Sequence, residues 1–291
     1  AYIRGSVEED PDSVSLDQLN QFVRHQSYMI RAQAAKALRI KGEWKVLEEL
    51  LRHPDPRMRR TALDGMLDWR YFFGVGKKPL ATGDYTPGMI EAIPAMLGNP
   101  EEATYVIEGA LFAMGFMPAE VIKEHYDVIY QWTRHDDWWF RQASFMALQG
   151  LSKDPALYLK AVPVLTELMI RENHTMPRNA MNQTLANSLK QFAPDSEIGR
   201  LLAKGFDESV AETRILEGRR DREGVYNVAQ SIEKAANMAP ELAPQLAASL
   251  VERGLSVLDD DQLLGLIDGQ GGFLKLAAKL KGPGRESLEK I

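Results

Sequence analysis

Between Tyr28 and Leu148 the apolar residues recur at helical spacing. Ile30, Ala34, Ala37 and Leu38 fall on one face of an α-helix, and Met58, Ala62, Gly65 and Met66 repeat the same offsets. Phe140, Ser144, Ala147 and Leu148 repeat them again, with polar and charged residues filling much of the space between. Another apolar-periodic stretch precedes each stripe, at Leu16–Val23, Trp44–Leu51 and Val121–Trp132. The pattern predicts helix–turn–helix hairpins. The small residues at the second and third stripe positions predict that a neighbouring helix comes close there.

Three segments align without gaps: RHQSYMIRAQAAKAL from Arg24, RHPDPRMRRTALDGM from Arg52 and RHDDWWFRQASFMAL from Arg134. Each opens on Arg-His, with a further arginine at Arg31, Arg59 or Arg141. Ser27, Asp55 and Asp137 stand where a helix N-cap belongs, since a short polar side chain there satisfies an orphan backbone N–H. Pro56 follows at the first helical position, where its missing N–H costs nothing. Between His53 and His135 there is room for another hairpin and an insertion. Thr86 caps and Pro87 opens a helix running to Leu97, and after Asn99-Pro100 a second helix runs to about Gly115. A further pair spans Ala156 to Arg171 and Met176 to Phe192.

SYMIRAQAAKAL, DPRMRRTALDGM and DWWFRQASFMAL resemble the second helix of a HEAT (armadillo-like) repeat, over roughly residues 15 to 192. The resemblance implies an all-α α-solenoid of stacked helical hairpins, each burying its face against its neighbours. It also implies a ladder of aspartates and arginines between repeats, placing Asp55, Asp137, Arg31, Arg59 and Arg141 in structural roles. From about Ser196 the chain remains helical but loses the repeat, with candidate helices at 196–206, 208–217, 225–238, 240–257, 261–267 and 273–280. The expected organisation is therefore 1–194, HEAT-like repeats with an insertion at about 68–85, and 195–291, divergent helical hairpins or a C-terminal cap. The chain is nearly in register with its first repeat by residue 16, so it reads as a piece excised from a longer protein.

Composition narrows the chemistry. The sequence has no cysteine, which removes disulfides, thiolate metal sites and thiol nucleophiles together. A net charge of −6 argues against a nucleic-acid surface spread over the molecule, because affinity there rests on neutralising phosphates. No apolar run approaches the ~20 residues needed to span a bilayer, and the chain reads as soluble with no leader. No P-loop, GxGxxG, GxSxG or HExxH is present. Asn173-His174-Thr175 and Asn182-Gln183-Thr184 are formal glycosylation sequons.

His25, His53 and His135 hold one repeat position, so stacking spaces them ~10 Å apart, a row rather than a metal cage. Each is expected to finish its first helix by bonding the terminal carbonyls. Asp136, Asp137 and the LDDDQ stretch from Leu258 read as turn and helix-start residues, and EGRRDRE from Glu217 as a solvated charge cluster. No catalytic residue, metal or cofactor is expected. The segment outside the repeat, DWRYFFGVGKKPLATGDY from Asp68, joins aromatic anchors to glycines and cations. The candidate binding residues are Trp69, Tyr71, Phe72, Phe73, Lys77 and Lys78, with Trp138 and Trp139 at a helix start. The expected function is a non-enzymatic scaffold or interaction module for a protein or peptide partner. The alternatives are an α/α toroid acting on carbohydrate, disfavoured by the short hairpin spacing, and a HEAT-like DNA glycosylase, disfavoured by the acidic balance.

Overall fold

The computed structural model describes residues 3–10, 12–67, 85–172, 174–189, 191–193 and 195–211. Among these the regular structure is helical throughout, and the chain divides into two compact units, Ala1–Lys153 and Asp154–Ile291. No helix among the described residues is long and apolar enough to cross a membrane.

The first unit opens with α1 (Ile3–Glu9), which packs against α3. Hairpins follow as α2 (Leu16–Phe22) with α3 (Tyr28–Lys41), α4 (Trp44–Leu51) with α5 (Pro56–Met66), and α6 (Pro87–Leu97) with α7 (Thr104–Met114). The last first-helix is broken. Val121–Trp132, expected as one helix, is α8 (Ala119–Glu124) and α9 (Tyr126–Trp132), with the chain turning at His125 before α10 (Trp138–Gln149) and a 3-10 turn at Gly150–Lys153.

Local chemistry accounts for the helix ends. Ser15 starts α2 through a reciprocal capping box with Gln18: its hydroxyl accepts the Gln18 N–H at 3.2 Å, and its own N–H donates to Gln18 Oε1 at 2.9 Å. Gly42 ends α3 in the left-handed region at φ 76°, a conformation that glycine takes without a Cβ penalty. Asp55 and Asp137 cap as expected, each accepting at 2.9 Å from the N–H two residues on, whereas Ser27 makes no side-chain cap bond.

The second helices stack in sequence, α3 on α5, α5 on α7, and α7 on α10. They run parallel. Residues near the start of one helix meet residues near the start of the next, as in Arg31 with Thr61 and Arg60 with Glu108. Their ends likewise meet, since a Cβ at Gly115 would come within 2.5 Å of the Met146 carbonyl oxygen. The small stripe positions serve this approach. Ala34, Ala62 and Ser144 are fully buried, and a Cβ on Gly65 would lie 2.9 Å from that of Ala35. With the helices parallel, the first unit has two edges. One carries the turns inside each hairpin and the starts of the second helices. The other carries the connections between hairpins.

The second unit contains α11 (Pro155–Arg171), α12 (Thr175–Leu189) and α13 (Glu197–Ala211), with α11 packed on both others. α13 runs past Phe206, where the sequence pattern ended a helix. Buried Tyr158 donates its hydroxyl to Ser188 Oγ at 3.0 Å and stacks on Phe192 at 5.3 Å. The candidate helices beyond residue 211 lie outside the described residues.

Candidate binding edge

The turn edge is built three times from the same parts. In each copy the imidazole Nδ1 accepts the backbone N–H two residues on: His25 from Ser27 at 2.9 Å, His53 from Asp55 at 3.0 Å and His135 from Asp137 at 3.0 Å. The histidine rings thus act as acceptors that pin the cap residue, while the bond to the end of the first helix comes from each backbone N–H: His25 donates to the Phe22 carbonyl, His53 to that of Leu50 and His135 to that of Trp132. The repeat arginine completes each turn. Arg31 Nη1 donates to the carbonyls of His25 and Gln26, Arg59 to those of His53 and Pro54, and Arg141 to those of His135 and Asp136.

The ladder between repeats also differs from its expected form. Arg31 Nε donates to Thr61 Oγ1 at 3.1 Å, and Arg59 Nη2 to Glu102 Oε1 at 2.6 Å. Asp55 is no rung. Its carboxylate is taken by the Arg57 guanidinium at 2.7 Å and by the Arg57 N–H, which together bring its pKa down to about 2. At the residue next to the Arg59 rung, Arg60 Nε meets Asp64 Oδ1 at 2.9 Å, and Arg60 Nη1 meets both Glu108 and the Tyr105 carbonyl. Burial works against the charge of Arg60, but Asp64 and Glu108 hold it more firmly protonated than a free arginine. Burial, and then Asp64, push the Tyr28 phenol up to about 12.

On this fixed framework, exposed apolar side chains stand among the charged ones. Five large apolar side chains are exposed among the described residues, and four of them, Tyr28, Met29, Tyr105 and Trp139, occupy the first two positions of α3, α7 or α10. Met29, Arg57, Tyr105 and Trp139 are the second residues of four consecutively stacked helices, so they form a row. At ~10 Å between helix axes the row is roughly 30 Å long. Trp138 is half-buried and stacks on Trp139, with ring centroids 4.0 Å apart and planes inclined by 22°. Below them Trp132, His135 and Phe140 form an aromatic cluster with centroids 4.3 to 5.6 Å apart, so Phe140 holds the core and Trp139 is turned outward.

Trp69, Tyr71, Phe72, Phe73, Lys77 and Lys78 lie outside the described residues. The insertion's flanks are placed, however. Leu67 is buried at the end of α5, and Tyr85 is buried with its hydroxyl donating to the Ala113 carbonyl near the end of α7 at 3.1 Å. Both flanks therefore sit on the connection edge, opposite the turn edge of Trp138 and Trp139. Tyr105 was absent from the sequence-derived candidates. Its hairpin lacks the Arg-His signature, and Ile107 stands where the ladder arginine of α5 stands. Among the described residues no three His, Asp or Glu side chains group as metal ligands would.

No family model matches the chain, and no curated protein matches it. Among the known structures it is similar to, three serve as examples, all at low identity. A crystallised engineered protein of the Northeast Structural Genomics Consortium is 15% identical over 93% of this chain and 86% of its own, with a TM-score of 0.41. A homology model of the full-length AP-3 complex in an intermediate open conformation is 14% identical over 99% of this chain, at a TM-score of 0.48. This chain spans 56% of that AP-3 chain. A second engineered protein is 14% identical over 83% of this chain and 95% of its own, at 0.35.

Proposed function

We propose that the chain is a non-enzymatic interaction module of HEAT-like hairpins, arranged as an α-solenoid, that receives a protein or peptide partner along its turn edge. One observation carries the reading: four of the five exposed large apolar side chains concentrate in the first turns of stacked helices. Isolated exposed apolar residues are ordinary on any surface, but grouping of this kind marks an interaction site. The His–Arg turns hold the backbone beneath them, so ordering that edge costs little on binding. Tryptophan and tyrosine are also the side chains that most often dominate binding energy at interfaces.

A photo-reactive amino acid at Trp139, and separately at the exposed Gln21 on α2 as a control, tests this in the source cells. Adducts to one partner at position 139 and not at 21, followed by loss of that partner's binding in M29S/Y105S/W139S with unchanged melting, support the reading. Equal labelling at both positions, or a triple variant that binds as the wild type does, overturns it.

A further inference from the structure

We infer that Ser27 is a phosphorylation site, taken by a protein kinase that selects serine by an arginine three residues before it. Arg24, His25, Gln26 and Ser27 lie between the end of α2 at Phe22 and the start of α3 at Tyr28, and all four are exposed. The Ser27 backbone is extended, at φ −70° and ψ 123°, as a segment entering a kinase cleft must be. Arg24 supplies the cation before the hydroxyl, and Tyr28 places an exposed apolar ring directly after it. Charge patterns of this kind separate the substrates of one kinase from those of another. The hydroxyl itself makes no cap bond to its own helix.

The other two copies show what an anion does at this position. Asp55 and Asp137 each accept the N–H two residues on, from Arg57 and Trp139, at 2.9 Å. Ser27 gives Met29 no such acceptor. Of the three matching stretches, RHQSYMIR, RHPDPRMR and RHDDWWFR, only the first lacks a carboxylate. A phosphate adds a charge of about −1.5 to −2 and three acceptor oxygens, so on Ser27 it supplies the missing anion. Its cationic neighbours are Arg24 and Arg31, the latter fixed in the same turn on the His25 and Gln26 carbonyls. The Ser27 N–H stays on His25 Nδ1, because the ester forms at Oγ and leaves the backbone untouched.

The step transfers one phosphoryl group. Ser27 Oγ attacks the γ-phosphorus of magnesium ATP held by the kinase and forms an Oγ–P bond, while the bond from that phosphorus to the β–γ bridging oxygen breaks. ADP leaves with that electron pair, and the hydroxyl proton passes to a base of the kinase. The product is a dianion beside Met29, the first member of the row that Arg57, Tyr105 and Trp139 continue. That end of the edge then repels an acidic or apolar segment. Only this last consequence rests on the proposed partner; the modification and its effect on the turn do not.

The test uses the whole chain. It is incubated with magnesium ATP and the catalytic subunit of the cyclic-AMP-dependent protein kinase, which favours basic residues before its serine, and its peptides are then read by mass spectrometry. Ser27 is expected to be the main residue phosphorylated, and R24A to slow that uptake about tenfold. No phosphate at Ser27, or uptake in R24A as fast as in the wild type, overturns the assignment. Phosphoserine incorporated at position 27 during translation gives a second arm that needs no kinase. Hydrogen exchange of the Met29 amide is expected to slow several-fold against the unmodified chain. Exchange there as fast as in the unmodified chain overturns the phosphate's place in the turn.

Discussion

Arg59 shows how much one side chain of the repeat supports. Its guanidinium satisfies two turn carbonyls of its own hairpin and reaches Glu102 in the next, where the carboxylate side chain is 3% exposed. Removing it strands a buried carboxylate, and breaking such a pair costs about 3 kcal/mol. R59A is expected to lower the urea midpoint by that equivalent, and R59A/E102Q to recover part of the loss. A cost that E102Q leaves untouched would show the turn carbonyls, not the ion pair, to be the main dependants. Asp55 makes the opposite case at the surface. With its pKa drawn down to about 2 by Arg57, its stabilising contribution is complete above the usual carboxylate range of about 3.9 and is lost as pH falls through about 2. The wild type's advantage over D55N should therefore shrink between about pH 4 and about pH 2 in acid titrations followed by circular dichroism. A constant difference across that interval would remove the Arg57 pairing as its source.

At the scale of helices, close approach replaces bulk at the seams. Gly65 lies against the Cβ, carbonyl carbon and oxygen of Ala35, at 2.9 to 3.1 Å from where its own Cβ would be. Alanine in a helix interior gains up to about 1 kcal/mol over glycine, but overpacking against an unyielding backbone costs about 1–3 kcal/mol. G65A is expected to destabilise on balance. A35G should offset part of that loss, a coupling that a double-mutant cycle measures directly. An additive cycle would mean that the seam relaxes elsewhere. These seams were largely legible in the sequence, because a stripe position held by Ala, Gly or Ser states its own spacing. So were the caps at Asp55 and Asp137, which are local events. What could not be read was non-local or depended on hydrogen positions. Glu102 reaches Arg59 across a hairpin whose own copy lacks the motif. The histidines share a column in the alignment, but which ring nitrogen faces which backbone group is decided only by the folded turn. His125, placed by periodicity within a helix, breaks it at φ −107° and ψ 16°.

For the molecule as a whole, the same periodicity that revealed the hairpins also says how its first unit holds together. α7 is apolar nearly all round. Val106, Ile107, Ala110, Leu111, Phe112, Ala113 and Met114 are all buried, and a helix of that kind is stable only when covered on several sides. α5 covers one side of it and α10 another. In nearest-neighbour architectures the stability of each unit includes the interface with the next, so an inner helix cannot serve as an end. A chain stopped after Met117 keeps α5 but loses α8, α9 and α10, together with the Lys153 ammonium, which caps the Gly115 and Met117 carbonyls at 3.0 and 2.6 Å. A chain stopped after Lys153 keeps all of these contacts. The expectation is that residues 1–153 melt cooperatively with protected amides in α5 and α7, while residues 1–117 bind a hydrophobic dye and lose protection in α7 first. Equal amide protection of α7 in the two fragments would mean that α10 contributes little to holding it, and that the stack is anchored from the α5 side alone.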